Sequence, residues 1–313
     1  MMVSENTQVI TGQQTTAVRK KWLRSTDIAG WCFVLPLLVG VLGFSLYPMV
    51  SALLTSFRGN GAASAQWVGL TNYSRVLQDD LFWGALYNTI YIGGLSAILG
   101  IVFSFILASL VHHLPWQRTR NLFKAIFFLP NVVSAVATSL LFSLLFHPGK
   151  EGLINYALNW FGIDPVGWFT DPSIARLSVV FMILWSALGY NTIIFLAALQ
   201  SVPREQYEAA DIDGASALDK WRYITIPSLR PIFLFMIVMG VINGMKQFTN
   251  VWLIGGSAGN PSGALMTSVL YIYRNAFLSS QLGIATAASY LLFVFILLLT
   301  LVILKVNAKN QLN

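Results

Sequence analysis

Six stretches of this 313-residue sequence carry no Asp, Glu, Lys or Arg: 28–57, 81–111, 125–146, 177–203, 231–245 and 275–304. A helix needs about 20 predominantly apolar residues to cross the roughly 30 Å hydrocarbon core of a bilayer. Five of the six stretches reach that length, and the other, 231–245, stops only at Lys246 before its apolar pattern resumes and runs through Ile254. Charged residues make up 10% of the chain, against about 25% in a soluble domain. The chain therefore reads as an all-α polytopic membrane protein with six transmembrane helices, at about 28–57, 81–111, 124–146, 177–200, 231–254 and 282–304. These lie in one membrane domain, 27–306, between polar tails 1–26 and 307–313. The first tail, rich in Gln and Thr, reads as disordered.

Lys and Arg set the orientation, because cytoplasmic loops carry their excess. With the N-terminus inside, 13 of the 19 cations fall in cytoplasmic segments, from Arg19, Lys20, Lys21 and Arg24 to Lys305 and Lys309. Five fall outside (Arg58, Arg75, Lys150, Arg176 and Arg274), and Lys246 lies within a span. Both termini are thus predicted to be cytoplasmic. The net charge of +7 is spread over membrane flanks rather than gathered on a soluble domain, which argues against nucleic-acid binding. Cys32 is the only cysteine, so no intrachain disulfide can form. His112, His113 and His147 have no Cys or acidic neighbours with ligand spacing, and no metal site is expected. The apolar run after Arg19-Lys20-Lys21 lasts 30 residues. A cleavable signal core runs about 7–15 residues, so this one reads as a retained anchor helix.

The predicted external loops 58–80 and 147–176 carry Trp67, Tyr73, Trp160, Trp168 and Phe169, residues that suit an interfacial belt or short helices capping the outer mouth. Gly255–Gly263 holds four glycines and a proline in nine residues and specifies turns. Pro36 and Pro48 in the first span predict a bend.

Between spans four and five, residues 203–227 read as helix, turn, helix. Pro203 suits a helix start, where its missing N–H costs nothing. Glu205, Glu208 and Asp211 form an acidic flank, and Gly214 supplies the positive φ that ends the first helix. Ser216-Ala217-Leu218-Asp219 matches a capping box for the second, and Pro227 is expected to stop it.

No Asp or Glu lies within a span, which weighs against proton- or sodium-driven carriers and cationic substrates. The polar residues of spans four and five include Tyr190, Asn191, Asn243, Gln247 and Asn250. Amides and a phenol ring suit an uncharged polyhydroxyl ligand, and equally helix–helix hydrogen bonds. Lys246 costs about 2.5–3.5 kcal/mol at mid-membrane on insertion scales, so it should face a cavity or a partner subunit, in a structural or a substrate-contacting role. No Gly-x-x-x-x-Gly-Lys-Ser/Thr segment occurs, so the chain has no ATPase site of that kind. The scattered histidines also give no constellation for a membrane-embedded acyltransferase.

Glu208-Ala209-Ala210, Gly214, Ile224 and Ile226-Pro227 keep the spacing of the cytoplasmic loop of permeases in binding-protein-dependent ABC importers, with Ile226 in place of Leu. Val68-Gly69-Leu70-Thr71-Asn72-Tyr73, Asn88-Thr89, Phe128-Leu129-Pro130, Ile212-Asp213-Gly214-Ala215 and Tyr271-Ile272-Tyr273 resemble maltose-type sugar permeases, MalF-like subunits in particular, over about residues 28–306. The resemblance implies a type I importer (MetI-like) fold in the cell's inner membrane and a non-catalytic subunit for a carbohydrate, an oligosaccharide first. A glycerol phosphate or other polyol importer is the alternative. It implies a second homologous permease, two copies of a cytoplasmic ATPase and an extracytoplasmic solute-binding protein as partners. No cofactor would be bound by this chain; ATP and Mg would sit on the ATPase. Glu205, Glu208, Ala209, Ala210, Asp213 and Gly214 would couple to that ATPase. Tyr190, Asn191, Asn243, Lys246, Gln247 and Asn250 are the candidate substrate pathway. Where Thr249 stands the family commonly has Asp, so its local contacts do not carry over.

Overall fold

Residues 25–311 are described by a computed structural model, and their regular structure is helical apart from one antiparallel bridge between Arg58 and Trp67. Of the tail predicted to be disordered, 1–26, residues 1–24 lie outside the described range, while Ser25 and Thr26 open the first helix. Contacts divide the chain into Met1–Ser51 and Ala52–Asn313. The first unit holds α1 (Ser25–Val41), with Pro36 inside it, and a wide π turn at Leu42–Leu46. Helix α2 (Tyr47–Ser56) carries the chain into the second unit.

In that second unit come α3 (Thr71–Leu77), then α4 (Asp80–Thr89) and α5 (Leu95–His112), joined by a π turn at Ile90–Gly94. Helices α6 (Gln117–Val132) and α7 (Ala135–Leu145) precede a short α8 (Leu153–Asn159) and the long α9 (Pro172–Gln200). A hairpin of α10 (Arg204–Ile212), α11 (Ala217–Lys220) and α12 (Ile226–Ser228) leads to α13 (Arg230–Met245) and α14 (Thr249–Gly255). Helices α15 (Ser268–Tyr273) and α16 (Leu282–Gln311) complete the chain.

Among the described residues five helical stretches are long and apolar enough to cross a membrane: Gly30–Ser56, Asp80–His112, Pro172–Gln200, Arg230–Gly255 and Leu282–Lys309. The third predicted span, 124–146, needs correction. It is not one helix: α6 and α7 meet at an angle of 98°. Pro130 removes an N–H from the last turn of α6, Val133 turns extended, and the Ser134 hydroxyl then caps α7 by accepting from the Ala137 N–H at 3.2 Å. Six spans result only when this bent pair counts as one. The sixth helix continues through Gln311, into the predicted tail. Pro227 does not stop the hairpin's second arm but sits in the first turn of α12, because proline costs nothing at that position.

Two buried asparagines organise the loops. Asn88, 3% exposed, donates to the carbonyls of Gly263 and Met266, both at 2.9 Å, and accepts from Arg176 Nε at 2.7 Å. Neighbouring Thr89 accepts from the Ser268 N–H at 2.7 Å. The Asn88-Thr89 pair thereby pins the glycine-rich loop to the start of span two. Asn155, fully buried, accepts from the Val166 N–H at 3.0 Å and from Trp168 Nε1 at 2.9 Å. Its amide donates to the carbonyls of His147 and Val166, each at 3.0 Å. One side chain thus closes the loop between α7 and α9. A buried polar group left without its partner costs about 1–3 kcal/mol. Asn155→Leu is therefore expected to loosen this loop by about 2 kcal/mol or more, read as faster proteolysis confined to residues 147–171. Unchanged cleavage would contradict the role.

Candidate functional site

The hairpin that follows α9 is built from its own sequence signals. The Ser216 hydroxyl accepts from the Asp219 N–H at 3.3 Å while Asp219 accepts from the Ser216 N–H at 3.0 Å, a complete capping box. The Ser216 side chain and backbone donors hold the Asp219 carboxyl below its usual range. The cap is therefore intact at neutral pH and opens only on acidification below that range. Gly214 takes φ +75° at the turn, a conformation open to glycine at no steric cost. Lys220 pairs with Asp211. Tyr207 and Thr225 share a hydrogen bond of 2.9 Å, tying the two arms together.

Helical spacing sends Tyr207 inward and Glu205, Glu208 and Ile212 outward. Ile212 is 88% exposed and Leu218, on the second arm, 70% exposed. Glu205, Glu208, Ala209, Asp213 and Gly214 are exposed, and Ala210 is half-buried. Asp211, expected on the acidic flank, is instead engaged by Lys220, leaving Glu205, Glu208 and Asp213 without an ion pair among the described residues. The result is an exposed face that combines free carboxylates with two uncovered aliphatic side chains. Ile212 and Leu218 were not singled out from the sequence, although large apolar residues on an acidic surface helix were a readable signal.

The second feature is a cleft of about 270 Å³ between α5, α6, α9 and α13. Its polar lining is Ser96, Asn131, Tyr190, Asn191, Asn243 and Gln247, and no Asp, Glu, Lys, Arg or His borders it. Of the predicted pathway residues the structure therefore brings together Tyr190, Asn191, Asn243 and Gln247. It leaves out Lys246 and Asn250. Lys246 is exposed at the break between α13 and α14, where the free carbonyls of a helix C-terminus favour a cation. Asn250 is half-buried on α14, its Oδ1 without a hydrogen-bond partner among the described residues. Ser96 and Asn131 were missed, one as a lone hydroxyl in an apolar run; Asn131 follows Pro130 at a helix break, the place where a membrane helix bends beside a cavity.

Close helix contact frames the cleft. A Cβ on Gly244 of α13 would stand 2.7 Å from the Gly93 carbonyl oxygen, so the two backbones touch there as small residues permit in membrane bundles.

Comparison with known proteins fits this geometry. Residues 100–309 match the family described as binding-protein-dependent transport system inner membrane component. The lactose transport system permease protein LacF of Rhizobium radiobacter is 34% identical over 288 residues, covering 91% of this chain and 96% of that protein. The arabinooligosaccharides permease AraP of Bacillus subtilis is 30% identical, covering 91% and 90%. A chain of a bacterial ABC transporter involved in the import of the acidic polysaccharide alginate superposes with a TM-score of 0.81 at 25% identity, over 91% of this chain and 96% of that one. The same type of transporter is also known in complex with an alginate pentasaccharide-bound periplasmic protein. On these grounds the chain belongs to the binding-protein-dependent transport system inner membrane component family, as a multi-pass permease subunit of an ABC importer.

Proposed function

We propose that this subunit forms part of the pathway for an uncharged carbohydrate, an oligosaccharide in the first instance, delivered by an extracytoplasmic binding protein. The observation that carries the reading is the cleft lining of amides, a hydroxyl and a phenol without a fixed charge. Each amide offers a donor and an acceptor to a sugar hydroxyl, and the exposed Tyr190 ring offers a face to C–H surfaces. Relatives named for lactose and arabinooligosaccharide transport support the class. A phosphorylated polyol or an acidic sugar would find no cation in this lining.

A second homologous permease would complete the cleft, and two cytoplasmic ATPases would supply ATP hydrolysis with their own Mg. The exposed face of Glu205, Glu208, Asp213, Ile212 and Leu218 suits docking on such an ATPase: a carboxylate to pair, an apolar pair to bury, and an ordered hairpin to transmit force. The cation bias supports a cytoplasmic position for this hairpin and both termini.

The test is ATP hydrolysis by the purified complex in proteoliposomes, titrated with binding protein and a panel of sugars. Stimulation by a neutral oligosaccharide supports the reading. Stimulation only by a phosphorylated polyol overturns it. Asn191→Leu, with saturating binding protein, is expected to slow uptake about tenfold, the effect of removing one polar contact of roughly 1–2 kcal/mol, while the ATPases still co-purify. Uptake at the parental rate would remove Asn191 from the pathway.

A further inference from the structure

The hairpin is seated on the bundle through an aromatic cluster whose arrangement singles out one residue. Phe105 of α5, Phe195 of α9 and Phe233 of α13 meet as a triangle. Ring centroids lie 5.5 Å apart for Phe105–Phe195, 4.8 Å for Phe105–Phe233 and 5.1 Å for Phe195–Phe233. Phe195 is fully buried and Phe105 is 5% exposed. The hairpin adds a fourth ring. Trp221 stacks on Phe105 with centroids 5.3 Å apart and planes inclined by 22°.

The triangle also touches the cleft. Ile101 lies four residues before Phe105, Asn191 four before Phe195, and Met236 three after Phe233, and all three line the cleft. Residues three or four apart are neighbours on one helix face, about 5–6 Å along the axis. One turn of each of three helices thus separates the Trp221 stack from the cleft wall.

The hairpin itself is poorly able to absorb a push. Its arms are tied by the Tyr207–Thr225 hydrogen bond, and Thr225 is buried. Trp221 opens the π turn Trp221–Thr225, and backbone hydrogen bonds on both sides hold its main chain in place. The remaining contacts of the hairpin with this cluster include Ile224 and Ile226. Aliphatic side chains tolerate sliding, whereas two flat rings in face contact hold a preferred offset geometry.

We propose that Trp221, through its stack on Phe105, is the positioning residue that passes movement of the hairpin to α5, α9 and α13 around the cleft. The proposal rests on the reading of the hairpin as the ATPase-docking element, and the two can fail separately.

The experiment uses the full complex with both permeases, ATPases and binding protein in proteoliposomes, and reads sugar taken up per ATP hydrolysed. Trp221→Leu keeps an apolar side chain but removes the ring; it is expected to retain the ATPases while uptake per ATP falls about tenfold, in the range of coupling energies between linked sites. Trp221→Phe is expected to recover most of that loss, and Phe105→Leu to reproduce it. Trp221→Leu combined with Phe105→Leu should be little worse than either alone, as for residues acting through one contact. Parental uptake per ATP in Trp221→Leu overturns the proposal. Loss of bound ATPase in that variant also overturns it, by moving the ring into the docking surface. The docking reading has its own measure, ATPase retention in hairpin variants that leave Trp221 intact.

Discussion

Gly189→Val is expected to prevent this permease from accumulating as a folded subunit. Gly189 is buried on α9 where that helix crosses α6. A Cβ there would lie 1.9 Å from the Phe127 carbonyl oxygen, 2.5 Å from its carbonyl carbon and 2.7 Å from the Phe128 Cα. Comfortable carbon contacts are about 3.5–4.0 Å, and every clashing atom is backbone, which no rotamer change can move aside. Overpacking a tight core costs about 1–3 kcal/mol even where side chains can shift, so a branched side chain against rigid backbone should exceed that range. The damage is not only local, because α9 carries Tyr190 and Asn191 and α6 carries Asn131, all in the cleft lining. Membrane-extracted protein in a monodisperse chromatographic peak measures the outcome. Gly84→Ala in α4, whose Cβ would meet nothing within 4 Å, is the control and should accumulate normally. Parental yield for Gly189→Val would mean that α6 and α9 do not cross at this point.

Glu208→Ala and Gly214→Asp are expected to leave the subunit inserted but to cut ATPase retention and sugar-driven uptake about tenfold or more. Removing one partner of a buried, charge-assisted pair across an interface costs roughly 2–5 kcal/mol, much of it from the charge left behind. Glu208 is exposed in the isolated chain and has no ion pair among the described residues, so this loss belongs to an interface rather than to folding. Gly214 holds φ +75°. A side chain there costs about 1–2 kcal/mol, and aspartate adds a third carboxylate beside Asp211 and Asp213. Co-purification of the ATPase, and uptake by the complexes that form, would measure both variants. Normal values for the two together would show that the hairpin is not the ATPase contact.

Much of this site was legible before any coordinates. The capping box at Ser216 and Asp219 and the turn at Gly214 depend on residues within a few positions of one another, so local sequence reports them directly. The pairing of Asp211 with Lys220 was not legible, because Lys220 stands across the turn, nine residues away. Tyr190 and Asn191 on α9 and Asn243 and Gln247 on α13 were suspected as polar residues in apolar helices. What joined them into one cleft, and left Lys246 outside its lining, was the packing of α13 on the π turn before α5, where Gly244 meets Gly93, which no periodicity encodes.

The sequence by itself determined that the chain is helical and membrane-crossing, because a bilayer demands internally bonded apolar segments of a minimum length. It also determined the hairpin's caps and turn, since those bonds close within one or two helical turns. Only the tertiary structure decided the 98° break between α6 and α7, the backbone contacts at Gly189 and Gly244, and the seating of Trp221 on Phe105. These pair residues from 62 to 151 positions apart in sequence (Phe127 with Gly189, Gly93 with Gly244), or turn on whether Pro130 bends a helix gently or ends it. Such outcomes are set by which neighbouring surfaces pack best, a property of the assembled bundle that no single segment carries.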